Sequence, residues 1–338
     1  MKRIIVTRFS AMGDVAMVAS VLKEFQQQHQ DTEIIMVSRK LFAAFFEPIP
    51  RVKFHVFDPK HKHKGLSGLY TLFQELKSYQ ATYVADLHNN IRSRTLGFLF
   101  QLAGYTICTL DKGRKEKKEL TRLKNKIKHQ LKRTTERYAD VFRDLGFDFS
   151  LSHTLKKEHR LIPTELLGLL ASDKKKIGIA PFAQHPYKVF PIHKMEQVIQ
   201  YLSANGYETF IFGGGESEKS IAEGWRKKYP GVTNTIGRFS VAQELDILSH
   251  LDLMISMDSS GMHMASIVGT RSLSIWGATH PYAGFLGFGQ SMDDCIHVEH
   301  PNRPSSVYGN KPCTCDGIEA IDLVTSNMVI NRITEICE

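Results

Sequence analysis

The chain has 338 residues, 42% hydrophobic and 10% aromatic, and its 44 lysines and arginines against 35 acids give a net charge of +9. That length is natural for two domains, and a 23% charged fraction excludes disordered and collagen-like classes. No run of about 18 apolar residues is present to cross a membrane.

The start, Met1-Lys2-Arg3-Ile4-Ile5-Val6-Thr7-Arg8, returns to charge too soon for a signal peptide. Five cysteines in a chain this long make no disulfide framework, so a cytoplasmic protein with reduced thiols is expected. The basic balance calls for an anionic partner: nucleotide, nucleic acid, anionic lipid or phosphorylated sugar.

In chain order, strands are predicted at 4–9, 33–38, 53–57 and 82–87, with helices at 14–28, 66–79 and 91–103 between them. Strand–helix alternation with apolar, β-branched strands implies a parallel sheet covered on both faces. A long polar, helix-prone stretch follows at 112–147, then 150–173 with few strand signals. The second half repeats the style, with strands at 176–180, 207–212, 232–236, 252–257 and 271–276 and helices at 193–204, 217–228 and 241–249. Two Rossmann-like α/β halves are therefore expected. The boundary is placed near residue 170, giving domains 1–170 and 171–317. The helix-like tail, 318–338, is expected to pack back on the first.

Charge is not spread evenly. Between Asp111 and Arg133 eleven lysines and arginines face three acids, so +8 of the +9 sits in one block.

Four motifs lie where strands end, the place ligands bind in such sheets. The first is Ser10-Ala11-Met12-Gly13-Asp14, in which Asp14 is either a helix N-cap or a general base facing a cleft. The second is Asp258-Ser259-Ser260-Gly261-Met262-His263, small residues before a helix, a geometry that binds phosphate or serves as a plain cap. The third is Gly213-Gly214-Gly215-Glu216-Ser217-Glu218, where a carboxylate can hold ribose hydroxyls or merely favour a helix start. The fourth is the 181–191 loop, whose Lys188 can grip a diphosphate or face solvent. There is no GxGxxG dinucleotide fingerprint and no nucleophile elbow. Cys313-Thr314-Cys315 has no second pair to complete a zinc set, even with His297 and His300 nearby in sequence, so no metal is expected. His61 and His63, in a basic loop, are expected to face solvent.

Together these motifs resemble glycosyltransferase family 9, the ADP-heptose:lipopolysaccharide heptosyltransferases, over almost the whole chain. The residues 7–14, Asp86-Leu87-His88-Asn89-Asn90-Ile91-Arg92-Ser93, Trp276-Gly277-Ala278-Thr279-His280-Pro281 and Tyr308-Gly309-Asn310-Lys311-Pro312-Cys313 also carry the resemblance. It departs from the family at Val189-Phe190, where most members have a tryptophan after the lysine, and at Asp258–Gly261, where Asp-Thr-Gly or Asp-Ser-Ala-Asn types are usual.

The resemblance implies an α/β fold of GT-B type, two Rossmann-like domains facing a central cleft. It implies an inverting, metal-independent transfer of heptose or a related sugar to a lipopolysaccharide-core or similar cell-envelope glycolipid. The substrate would be a nucleotide-sugar, such as ADP-heptose, with no further cofactor. By position, Asp14 would be the base, Lys188 would meet the diphosphate, Glu218 or Glu216 the ribose, Ser259, Ser260 and Gly261 phosphate, and Asp258 the sugar, with His263 shaping the site. Gly13, Arg92, Ser93, Arg137, Lys115, Lys117, Lys118 and Lys124 are candidates for the acceptor. Peripheral contact with the anionic inner-membrane surface would suit the basic block.

Two other readings stand beside this one. A GT-B-like nucleotide-sugar epimerase or hydrolase would share the phosphate grip and need no acceptor. A basic nucleic-acid-binding protein would use the 111–133 block, but no RRM, zinc-finger or helix-turn-helix signature accompanies it, so no nucleic acid is expected.

Overall fold

The structure, a computed structural model, describes residues 2–337. The chain divides into two compact units. One runs to Arg114 and resumes over Lys132–Ser152; the other comprises Lys115–Leu131 and everything from His153.

The first unit is built on strands β1 (Lys2–Thr7), β2 (Thr32–Ser38), β3 (Val52–Val56), β4 (Tyr83–Asp86) and β5 (Thr106–Thr109), and helices α1 (Met12–Gln28), α2 (Gly65–Lys77) and α3 (Ile91–Leu102). The strands form one sheet in the order β3-β2-β1-β4-β5, every pair parallel. Ile4, Ile5 and Val6 of β1 are completely buried, as a central strand covered on both faces requires. β5 has no counterpart in the predicted elements. It is a four-residue edge strand without a fully buried residue, so its hydrophobic signal is faint.

Helices α4 (Arg114–Thr121), α5 (Thr134–Asp144) and α6 (Thr164–Leu170) lie between the two sheets in sequence. The helix-prone 112–147 stretch is thus two short helices around an irregular segment.

The second unit carries β6 (Lys176–Ala180), α7 (Ile192–Ala204), β7 (Glu208–Ile211), α8 (Glu216–Lys228), β8 (Val232–Asn234), α9 (Val241–Ser249), β9 (Leu253–Met257), α10 (Ser260–Ile267), β10 (Ser272–Ile275) and β11 (Cys295–Ile296). Its parallel sheet has the order β11-β10-β9-β6-β7-β8. A two-stranded antiparallel ribbon, β12 (Thr314–Cys315) and β13 (Ile318–Glu319), precedes α11 (Ser326–Cys337).

Three domain expectations differ from what is observed, each for a local reason. The first unit ends at Ser152 rather than near 170, because Ser152 donates from its backbone and hydroxyl to Glu24 on α1, at 2.8 and 2.7 Å. Beyond it, Glu158 N–H bonds Val268 O, Lys157 reaches Leu251 O, and Arg160 pairs with Asp246, all in the second unit. The tail helix, expected with the first domain, belongs to the second unit and packs on α7, with Val329 and Ile333 completely buried in the second core.

Finally, most of the basic block belongs to the second unit. Leu120 and Leu131 are buried with Ala283, Leu131 N–H bonds Tyr282 O at 2.9 Å, and Lys126 donates to the carbonyls of Asn302 and Pro304 at 2.5 and 2.8 Å.

Candidate active site

Each sheet has one point where the strand order reverses: between β1 and β4 in the first, between β6 and β9 in the second. Ligands bind outside the carboxyl ends of strands at such points. The predicted site residues that follow β1, β4, β6 and β9 flank these two places.

In the first unit Asp14 is the third residue of α1, and its Oδ2 accepts the Ala11 backbone N–H at 3.3 Å. The N-cap position is Ala11, so Asp14 is not the cap of its helix. Its carboxylate is instead part of a cluster. Arg8, one residue past β1 and only 7% exposed, places Nη2 at 2.5 Å from Oδ2 and donates from Nη1 to Leu87 O at 2.8 Å. Tyr138 of α5, completely buried, donates its hydroxyl to Oδ1 at 3.4 Å. The Arg8 guanidinium lies 5.8 Å from the Tyr138 ring centroid. Burial works against the Arg8 charge, but the pull of Tyr138, Asp14 and Asp86 holds its pKa above the ordinary value.

Asp86, at the end of β4, is used by the fold. It accepts from Thr7, from the backbone of His88 and Asn89, and from the Ser93 hydroxyl. His88 accepts the Phe9 N–H at Nδ1, and burial, then Arg8 and Lys112, pushes its pKa down to about 3, leaving it neutral. Lys112 is itself held below its usual range by burial, Arg8 and Arg114.

The acceptor candidates fall into two groups. Arg92 is exposed and Gly13 lies in the first turn of α1. Ser93 is 1% exposed and exchanges hydrogen bonds with Asn90, the N-cap of α3. Arg137 is 4% exposed, 3.5 Å from Asp111. Lys117, expected to meet acceptor, is buried with its ammonium 4.2 Å from the Phe285 ring centroid. Lys115, Lys118 and Lys124 are exposed.

In the second unit Lys188, on the loop after β6, pairs with Asp258 at the end of β9 at 2.7 Å, and Asp258 is buried. The lysine stem is enclosed by Gly309: a Cβ there would sit 2.4 Å from Lys188 Cγ, so only glycine fits. Ser259 is the N-cap of α10 in extended backbone and faces the Ser256 hydroxyl at 3.3 Å, and Ser260 opens the helix. Gly261 has a packing role, since a Cβ would lie 2.5 Å from Ala180 Cβ and force α10 off β6. His263 is buried in α10. After β7, Gly215 takes φ +91 to start α8, and Glu218 turns back to accept the Gly214 N–H at 2.7 Å, while Glu216 is exposed.

The residue that sequence reasoning misses here is Arg303. It is completely buried and donates to the carbonyls of Trp276, Gly277, Thr279 and Val298, stapling the loops that follow β10. Nothing in Asn302-Arg303-Pro304 signals a buried guanidinium.

Among the described residues, two clusters bring His and Glu ligand atoms within 4.8 Å of one another: His55, His63 and Glu75, and His280, His297 and Glu299. His63, expected in solvent, is 2% exposed because it closes the first of these. In the first, the Asp58 backbone N–H donates to His63 Nδ1; in the second, Tyr282 N–H donates to His280 Nδ1. Each neutral ring therefore carries its proton on Nε2, pointed at the glutamate 3.2 Å away. Burial holds His280 at about 3, in keeping with that form. Lys62 and Lys128 bind the same two glutamates, so both clusters are hydrogen-bond networks whose cations occupy the carboxylates.

A family model for glycosyltransferase family 9 (heptosyltransferase) matches residues 69–308. The chain belongs to that family. It is 31% identical over 108 residues to lipopolysaccharide heptosyltransferase 3 of Escherichia coli, an alignment covering 30% of this chain and 31% of that protein. The match thus spans about a third of that relative's length.

Solved structures of the family superpose over nearly the whole chain. A glycosyl transferase family 9 protein from Veillonella parvula gives a TM-score of 0.74 at 19% identity, covering 99% of this chain and 97% of that one. The E. coli heptosyltransferase WaaC with ADP gives 0.70 at 17%, covering 99% of each. The glycosyltransferase family 9 chain thus has the expected fold class, GT-B with two Rossmann-like domains.

Proposed function

We propose that this family 9 chain is an inverting heptosyltransferase. It moves a heptose from a nucleotide-diphosphate donor, with ADP-heptose the first candidate, to a lipopolysaccharide-core or similar cell-envelope glycolipid. The observation that carries this reading is the Asp14 carboxylate, fixed beside Arg8 where the strand order of the first sheet reverses.

In this reaction Asp14 takes the proton of the acceptor hydroxyl as that oxygen's electron pair attacks the anomeric carbon. The bond to the diphosphate breaks on the opposite face, and its electron pair leaves with the phosphate. One carboxylate suffices because the diphosphate is already a good leaving group; a retaining hydrolase would need two about 5 Å apart. Charge growing on the diphosphate is met by Lys188, by the N-terminal end of α10 and by the hydroxyls of Ser259 and Ser260. Lys188 exchanges Asp258 for phosphate when donor binds, which turns the Asp258 carboxylate towards sugar hydroxyls. Glu218 holds the ribose. Arg92 and the exposed Lys115, Lys118 and Lys124 meet the anionic acceptor or the membrane surface that carries it. Among the described residues no helix is long and apolar enough to cross a membrane.

Asp14→Asn should lower transfer by at least about 100-fold while nucleotide affinity stays within about twofold, because removing a general base leaves donor contacts intact. Near-normal transfer by this variant would contradict the assignment. Donor turnover that ignores the acceptor would favour the hydrolase or epimerase reading.

A further inference from the structure

The Asp14 carboxylate does not sit at the sheet edge on its own. Contacts reach it from the segment after β1 and from α5. Ala11 N–H and Arg8 Nη2 address Oδ2, and the Tyr138 hydroxyl addresses Oδ1.

Arg8 is not a surface arm that happens to reach. Its backbone N–H donates to Val37 O at 3.2 Å, its carbonyl accepts the Ser38 hydroxyl at 2.6 Å, and Nη1 is held by Leu87 O. Both ends of the side chain are therefore fixed, by β2 on one side and by the turn after β4 on the other. Tyr138 arrives on α5, which packs on α1, and its ring faces the guanidinium.

We propose that Arg8 and Tyr138 are positioning residues for the transfer reaction: both lock the rotation of the Asp14 carboxylate, and Arg8 also keeps it ionised before the acceptor arrives. The inference rests on the reading of Asp14 as the base. A buried charge-assisted bond is short and directional, so a guanidinium anchored at both ends fixes its partner far better than water would. The long 3.4 Å contact from Tyr138 sets the plane of the carboxylate from the other side.

The groups around Asp14 support a persistent anion. Arg8 and Lys112 are cationic. Asp86 is the second acid, and its oxygens are already bonded by Thr7, Ser93 and two backbone N–H groups. His88 is neutral.

The test compares Arg8→Gln, Arg8→Lys and Tyr138→Phe with the unaltered protein. The readouts are kcat, KM for donor and acceptor, ADP affinity, and the dependence of kcat/KM on pH. Arg8→Gln should lower kcat about tenfold or more and move the acid limb of the profile up by about one pH unit or more, since a neighbouring arginine holds a carboxylate down by about 1–3 units. Donor KM and ADP affinity should not change. Arg8→Lys keeps the charge but not the fork, so the limb should stay in place while kcat falls. Tyr138→Phe should reduce kcat and leave the limb unmoved.

A residue that only supports the fold would lower the melting temperature and the active fraction without shifting the limb. That result for Arg8→Gln, with kcat per active site unchanged, overturns the proposal. If Arg8→Gln does not fold, wild-type kcat in Arg8→Lys overturns it instead. Asp14→Asn run alongside separates the two readings. Turnover in that variant overturns the base assignment and this inference together. An inactive Asp14→Asn with an unchanged Arg8→Gln overturns this inference alone.

Discussion

An arginine 2.5 Å from Asp14, the carboxylate proposed as the general base, would act in two directions. In the proposed reaction it would turn the carboxylate and favour its charged form, and by the same contact it would make that carboxylate a weaker base. If the leaving group is a diphosphate, as proposed, orientation would be worth more than basicity. Lys188 and Asp258 form the matching pair in the second unit. Lys188→Ala should weaken ADP binding by about tenfold, as loss of one charge-assisted contact does. It should also leave the Asp258 carboxylate buried and unpaired, at a cost of about 1–3 kcal/mol. Calorimetric titration with ADP and a thermal melt check both; unchanged affinity would remove Lys188 from the donor grip. The places of Asp14, Lys188 and Asp258 in the segments after β1, β6 and β9 were legible in the sequence because those strands are apolar runs; their roles are proposed. The buried contacts of Arg8, Tyr138 and Arg303 were not. A cation or a tyrosine shows no local sign of being buried, and their partners lie 6, 124 and 26 positions away.

At the scale of elements, the central strands were readable because both faces are buried and the apolar runs are continuous, as in β1 and β9. β5 and the 122–133 segment were not, because edge strands and polar connections carry no periodicity. The basic block shows the same limit. Its charge pattern is plain in the sequence, but Lys117 packs on Phe285, Lys126 holds two carbonyls and Lys128 pairs with Glu299, and only tertiary structure reveals that these lysines bind their own chain.

The placement of α11 also depends on a contact distant in sequence. Asp294, buried just before β11, accepts from Arg271 at 2.7 and 2.8 Å and from Arg332 of α11 at 2.9 Å. Burial pushes the Asp294 pKa up, but the bonds from Arg271 and Arg332 outweigh it and hold it below the usual carboxylate range. Asp294→Asn should therefore lower stability at pH 7 by about 2 kcal/mol, or about 4–8 °C in Tm. Because the native pKa is depressed, this contribution is present above the unfolded value near 3.9 and fades as pH falls through the native one. The two proteins should thus converge only in strong acid. Equal melting temperatures at pH 7 would show that α11 is held by its apolar face alone.

For the whole molecule, +8 of the net charge of +9 lies in the 111–133 block, where Lys117, Lys126 and Lys128 serve the fold and Lys115, Lys118 and Lys124 stay exposed. Leu123 is exposed with them, at 81%. Reversing the three charges should raise acceptor KM about tenfold and weaken sedimentation with anionic vesicles, both more strongly at low salt, while ADP affinity stays the same. If KM and vesicle binding both hold, the exposed set only solvates the surface.

The central claim is a single displacement at the anomeric carbon, driven by one carboxylate. Its most direct test is the anomeric configuration of the product. ADP-heptose and a lipopolysaccharide-core acceptor are incubated with the protein, and the one-bond carbon–hydrogen coupling at the transferred anomeric carbon is read by NMR. Inversion relative to the donor, in a product formed only when acceptor is present, is the expected result. Retained configuration, or heptose released to water at the same rate without acceptor, would contradict the account.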